Sequence, residues 1–161
     1  MNRYIIRYFF VFLGALLLQS TVITPLFQIY YWKPNLILIV LVIFSLHHGQ
    51  MAGSTAGFLV GLSSDIISSS LLGLGALCKS ITGYIAGSFG SELVRERYQF
   101  IVALFVAGGV HDIIMLFFNS LGRDMSWKVM IFVYMIPNLF YTAIVGTIIY
   151  YFVGRWFHHH E

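Results

Sequence analysis

Charged residues are scarce in this sequence, and their scarcity decides the class of protein. Asp, Glu, Lys and Arg make up 9% of the 161 residues, whereas a soluble domain carries about 25% charged residues. So few charges cannot cover the surface of a water-soluble globule. Hydrophobic residues reach 59% and the mean hydropathy is +0.86, so we expect lipid to be the main solvent of the chain.

Cysteine is almost absent as well. The single cysteine, Cys78, lies within an apolar stretch and has no second cysteine with which to form an internal disulfide. Basic residues do not cluster beyond Arg95–Arg97, which argues against a nucleic-acid partner. The net charge of +3 therefore indicates the topology of a membrane protein.

Signatures of catalysis are also missing. The sequence has no His-Glu-x-x-His pair for zinc, no Gly-x-Ser-x-Gly turn for a nucleophile and no phosphate-binding loop. The adjacent residues His158, His159 and His160 are either native or a truncated purification tag, and they have no second group of metal ligands. We therefore predict a protein that is not an enzyme and that needs no cofactor or metal.

What the sequence does contain is a series of six apolar segments separated by charges and turn-forming residues. They cover residues 4–23, 34–46, 50–67, 74–89, 98–121 and 127–153. None alternates as the strands of a membrane barrel do, so the predicted fold class is all-α. We expect one transmembrane domain over residues 1–161, a polytopic bundle of about six helices. Segment 34–46 spans only ~20 Å and is short for a crossing.

The basic residues outside these segments or within a few residues of their ends predict the orientation. The first segment has basic residues before it but is long for a signal peptide, so we interpret it as a retained first crossing. With the N-terminus inside, the inner side carries Arg3, Arg7, Arg95, Arg97 and Arg155. The outer side carries Lys33, Arg123 and Lys128. Five against three favours two cytoplasmic termini.

Four glycines form the clearest pattern in the chain. They are spaced four residues apart, at Gly49, Gly53, Gly57 and Gly61, which places them on one face of a helix. Helices in lipid associate through close packing, and small residues let a second backbone approach. The pattern predicts a tight helix seam, formed either with another helix of this chain or with the transmembrane helix of a partner.

Ionisable side chains inside apolar segments form the second pattern. They are Asp65, Lys79, His111 and Asp112, with Asn119 two turns after His111. Burial of a charge costs ~2.5–3.5 kcal/mol at a helix centre on insertion scales, so these groups are expected to face the bundle interior or water. A helical hairpin would bring Asp65 and Lys79 to a similar depth. The set predicts either a structural network or a polar pocket that meets a ligand or partner.

One stretch of the sequence carries the run Lys33, Pro34, Asn35, Leu36, Ile37, Leu38, Ile39, followed by Gly53, Gly57, Phe58, Gly61, Asp65, Leu72, Gly73 and Ala76. With this pattern the sequence resembles the rod shape-determining protein MreD family. This resemblance implies a six-helix fold that is similar to the substrate-binding subunits of energy-coupling-factor vitamin transporters. It also implies a bacterial inner-membrane location and a non-enzymatic role in the cell-elongation machinery.

The resemblance further implies partners. Members of this family bind MreC and, with it, help control the peptidoglycan synthase and couple it to MreB. The hypothesis is thus a membrane scaffold for rod shape, in which a partner's helix packs on a face of small residues. The alternative is a substrate-binding subunit of a vitamin transporter.

Overall fold

A computed structural model describes residues 3–23, 34–68, 72–90, 96–121 and 127–157. Every regular element in these ranges is helical, so the predicted all-helical class is confirmed. Lys33 and the terminal histidines His158–His160 lie outside the described residues. In chain order the elements are α1 (Arg3–Leu18) with a π-helical extension (Gln19–Ile23), α2 (Leu36–Ser68), α3 (Leu74–Ser88), α4 (Glu96–Ser120), α5 (Trp127–Val129), a π-helical segment (Met130–Met135) and α6 (Ile136–Phe157).

The longest helix, α2, folds back on itself at Gly49. The backbone there has φ +83° and ψ −179°, a conformation that glycine adopts without a clash of Cβ. The side chain of Ser45 lies against Gly53, although residues eight apart in a straight helix are ~12 Å from each other. Residues 36–48 and 50–68 are therefore two antiparallel helices, which we call the first arm and the second arm of α2.

The first arm lies at the centre of the bundle. One hydrophobic cluster joins its Ile37 and Leu41 to α1 and to Val60 of the second arm. A second cluster joins its Leu38, Ile39 and Val42 to Ala86 of α3, to Phe100, Ala103, Leu104 and Ala107 of α4, and to Ala143 of α6. A helix that is apolar on every side is a buried helix, and the first arm is enclosed by all the other long helices.

The second arm and α3 pack backbone to backbone along what we call the glycine seam. The seam consists of Gly53, Gly57 and Gly61 on the arm and Gly75, Gly83 and Gly87 on α3. A Cβ atom added at Gly57 would collide with the backbone of Lys79, and one added at Gly61 would lie 2.5 Å from Ala76 Cα. Across the same seam, the Ser54 and Ser80 hydroxyls share a hydrogen bond of 2.9 Å.

Three described stretches are long and apolar enough, by length and composition, to cross a membrane. They are Leu36–Ser68, Tyr98–Ser120 and Ile131–Tyr151, and a shorter apolar helix covers Arg7–Thr21. Because the first stretch folds back at Gly49, it consists of two antiparallel arms of ~20 and ~28 Å. The shorter arm falls below the ~30 Å thickness of the hydrocarbon core.

We predict that Gly57→Ala destabilises the protein by about 1–3 kcal/mol, because the added methyl group overlaps the backbone of α3, which cannot rotate away. The matched control is Gly14→Ala in α1, where an added Cβ has nothing within 4 Å and alanine favours the helix. Thermal unfolding of the detergent-solubilised protein, followed by tryptophan fluorescence, compares the two. Equal Tm values for the two variants would contradict the seam.

Candidate functional site

The start of α2 is held by hydrogen bonds to side chains. Asn35 is the N-cap residue, since its Oδ1 accepts the N–H of Leu38 at 3.1 Å. Pro34, which precedes it, is fully buried. The start of α2 lies beside the middle of α4, since Leu38 Cδ2 is 3.6 Å from the position that a Cβ atom on Gly108 would take. From Gly108, α4 continues for ~18 Å to Ser120. The helix therefore begins inside the bundle.

Two other helices complete this cap. Gln19, in the π-helical extension of α1, accepts the N–H of Leu36 with Oε1 at 2.7 Å and donates from Nε2 to the Pro34 carbonyl at 3.0 Å. From α6, Thr142 accepts the N–H of Asn35 in a long bond of 3.4 Å. The Pro-Asn pair from the family resemblance is thus the point where α1, α2 and α6 are joined.

The start of α3 is capped in the same way, by an acid from the preceding helix. Asp65 is 2% exposed, and its Oδ2 accepts three backbone N–H groups, from Gly73 at 3.0 Å, Gly75 at 2.9 Å and Ala76 at 3.2 Å. Gly73 stands at the N-cap position with φ +94° and provides no side-chain cap of its own. A negative charge is favourable at the positive end of a helix, so Asp65 supplies both the acceptor and the charge.

Lys79 lies one helical turn after Gly75, on the α3 face that meets the second arm. It is 4% exposed, and its charge interacts with that of Asp65. The neighbouring thiol of Cys78 lies within electrostatic range of Lys79, Asp65 and Asp112. Asp65 and Lys79 therefore interact between the second arm and α3, and Asp112 of α4 lies near enough to act on Cys78.

His111 and Asp112 form a pair within this group. His111 Nδ1 lies 3.0 Å from Asp112 Oδ1, and the two side chains are 5% and 16% exposed. Because an ionised carboxylate only accepts, Nδ1 is assigned as the donor. The other ring nitrogen, Nε2, is buried and has no hydrogen-bond partner in the described part of the chain. We call Asp65, Lys79, His111 and Asp112 the polar cluster.

Other predicted residues lie apart from the polar cluster. Asn119 is exposed near the end of α4, away from the buried His111. Phe58 is 49% exposed and points away from the seam. Gly49 lies at the fold of α2, where an added Cβ would meet nothing within 4 Å. The described residues contain no group of three or more His, Cys, Asp or Glu side chains that could hold a metal ion.

A comparison of the sequence with models of known protein families shows to which family the chain belongs. The family model for rod shape-determining protein MreD matches residues 2–159. The chain belongs to the MreD family. A search of curated proteins and a search of solved structures find no match.

Membership of the MreD family confirms the resemblance that was read from residues 33–76. It gives the chain a role in the determination of rod cell shape, as a structural membrane component of the MreBCD system. Nothing in the comparisons supports the alternative of a vitamin-transport subunit.

We predict that Asp65→Ala destabilises the MreD chain by about 3 kcal/mol or more, because three backbone N–H groups lose their acceptor at a buried position. Asp65→Asn should lose less, since the amide oxygen still accepts although the charge is gone. Ser63→Ala, an exposed position whose hydroxyl bonds to Leu59 O within its own helix, is the control. Thermal unfolding in detergent should rank the three variants in that order, and an unchanged Tm for Asp65→Ala would refute the cap.

We predict that Gln19→Leu lowers stability by about 1–3 kcal/mol, because the Leu36 N–H and the Pro34 carbonyl both lose a partner. Ser20→Ala is the matched control, since the Ser20 hydroxyl is exposed and bonds to Leu17 O within its own helix. Amide hydrogen exchange at Leu36 should speed up in Gln19→Leu and stay unchanged in Ser20→Ala. Unchanged protection in both variants would show that water or another group replaces Gln19.

Proposed function

We propose that this MreD chain is a non-enzymatic scaffold of the bacterial inner membrane that binds MreC and helps control peptidoglycan synthesis and rod shape. The observation that carries the proposal is the family match over residues 2–159. Through MreC, the scaffold would reach the peptidoglycan synthase and the MreB cytoskeleton. Its two hydrophobic clusters, which enclose the first arm of α2, support a preformed bundle on which partners assemble.

The proposed topology is a single transmembrane domain that crosses the bilayer six times. The antiparallel arms of α2 support it, because they add a crossing to the three apolar stretches and to the shorter helix Arg7–Thr21, and α3 supplies the remaining one. Both termini would lie in the cytoplasm, on the side with five basic residues against three. The capped ends of α2 and α3 would then face outward.

Roles for the site residues follow from this arrangement. The glycine seam is filled by α3, so the close packing it allows would serve the bundle itself, and a partner's helix would use another surface. Asp65 and Asn35 would fix the starts of two helices. Lys79, His111 and Asp112 would form the polar pocket that a partner meets.

We predict that affinity-tagged chain co-purifies MreC from detergent-solubilised membranes, and that its depletion turns rod-shaped cells into wide or round ones. The measurements are MreC recovery by immunoblot and the cell aspect ratio by microscopy. A tagged polytopic protein of similar size from the same membrane is the control for recovery. Rods of normal shape after complete depletion would contradict the proposal, as would MreC recovery no greater than the control.

A further inference from the structure

The surface of α6 carries an apolar groove of about 320 Å³. This volume lies within the range of ~300–1,000 Å³ that is usual for ligand sites. The lining residues belong to two of the stretches that are long and apolar enough to cross a membrane, so the groove would meet lipid. One residue of α4 and five of α6 form the lining: Phe105, Phe140, Ala143, Ile144, Thr147 and Ile148.

The shape and chemistry of this groove suit a hydrocarbon chain. Phe140, Ile144 and Ile148 are more than half exposed and form a wall, whereas Ala143 is small and 6% exposed, as a floor would be. The single hydroxyl of the lining, on Thr147, donates to the Ala143 carbonyl of its own helix at 2.8 Å. At one end, the rings of Phe105 and Phe140 meet edge to face, with centroids 5.5 Å apart.

The helices α4 and α6 run antiparallel beside the groove. The ring of Phe100 stacks on that of Tyr150, with centroids 4.5 Å apart. Closer to the middle of both helices, a Cβ atom on Gly146 would lie 2.8 Å from Leu104 Cδ2. The start of α4 and the end of α6 therefore lie at the same end of the bundle, which is the cytoplasmic end in the proposed topology.

This end of the two helices is basic and rich in tyrosine. The sequence places Arg97 in the first turn of α4 and Arg155 in the last turn of α6, together with one acid, Glu96. Next to them along the chain, Tyr98 is 62% exposed and Tyr151 is 54% exposed. Because tyrosine is enriched where hydrocarbon meets the headgroups, we expect the two arginines to lie at the level of the lipid phosphates.

The distance along α6 matches the depth of one leaflet. Arg155 is ~11 Å along the helix axis from Ile148 and ~22 Å from Phe140. A bilayer is ~40–45 Å thick with its headgroups, and half of that thickness is ~20–22 Å. A phospholipid with its phosphate beside Arg155 would therefore end its acyl chain where Phe105 and Phe140 close the groove.

We propose that the groove on α6 binds an acyl chain of an anionic phospholipid, whose headgroup lies at Arg97 and Arg155. Charge complementarity selects this occupant, since each basic residue near a membrane surface favours an anionic lipid about fivefold. A partner's helix or a second copy of the chain would also cover the apolar lining, but neither uses two arginines at one end of the groove. The inference goes beyond the binding of MreC and does not depend on it.

Native mass spectrometry of the full-length chain, titrated with phosphatidylglycerol or with phosphatidylcholine of identical acyl chains, tests the headgroup. The unchanged chain should bind phosphatidylglycerol about 25-fold more tightly, since two arginines contribute about fivefold each. The double variant Arg97→Gln and Arg155→Gln should lose this preference. Arg7→Gln, the same change on α1 at the same proposed side of the membrane, should keep it. Equal binding of the two lipids by the unchanged chain overturns the inference.

The same titration with Thr147→Phe tests the groove, because the added ring fills it. Both lipids should bind about tenfold more weakly to this variant. Thr55→Phe is the matched control, since Thr55 is exposed on the second arm and its hydroxyl bonds to the Met51 carbonyl of its own helix. Unweakened binding by Thr147→Phe overturns the inference. So does a mass of two copies for the unchanged chain that Thr147→Phe returns to one, which would assign the groove to a second copy.

Photo-crosslinking of the unchanged chain covers a variant that fails to fold. Phosphatidylglycerol with a diazirine at the end of one acyl chain, in phosphatidylcholine nanodiscs, should label the peptides that contain Phe105 and Phe140. Added unmodified phosphatidylglycerol should suppress this labelling. Labelling that is spread over all the exposed helices, or that is not suppressed, overturns the inference. Neither result bears on the scaffold function, which the recovery of MreC tests separately.

Discussion

A helix that begins inside a membrane bundle exposes backbone N–H groups where no water can bind them, and the arrangement of this MreD chain follows from that constraint. Asp65 satisfies these groups at the start of α3, where one of its oxygens accepts three N–H groups. At the start of α2, Asn35 accepts the N–H of Leu38 and Gln19 accepts that of Leu36. In each case one acceptor comes from the preceding helix. These hydrogen bonds therefore hold helices that are consecutive in the chain next to each other in the bundle.

The close packing of the second arm on α3 and the Asp65 cap at the start of α3 depend on each other. Asp65 can reach the start of α3 only because Gly75 has no Cβ, since an atom there would collide with the carboxylate. Below it, Gly61 and Gly57 let the second arm run against α3 with backbone in contact. Because lipid provides no hydrophobic drive between helices, such contacts and hydrogen bonds supply the association energy. The seam and the Asp65 cap are thus one structural unit.

Sequence patterns gave the helical class, the family and one side of the seam, because apolar runs and four-residue spacing are local properties. The partner side, Gly75, Gly83 and Gly87, is not predicted from the sequence, since Lys79 occupies the second of the four places in that spacing and interrupts the glycine pattern. The sequence predicts Asp65 as a buried charge, but it offers the opposite charge of Lys79 as the partner of that carboxylate. Its hydrogen bonds go to backbone N–H groups, which every residue except proline carries and which a sequence therefore does not mark.

The fold of α2 at Gly49 also bears on how the chain enters the bilayer. The first arm, at ~20 Å, is too short to cross the ~30 Å hydrocarbon core alone, and its residues 36–44 are all apolar. Joined to the second arm by a single glycine, it would, in the proposed topology, insert as half of a hairpin that leaves the membrane on the side from which it came. Such a hairpin would change no downstream orientation, so that α3 would begin on the side of the membrane where α1 ends.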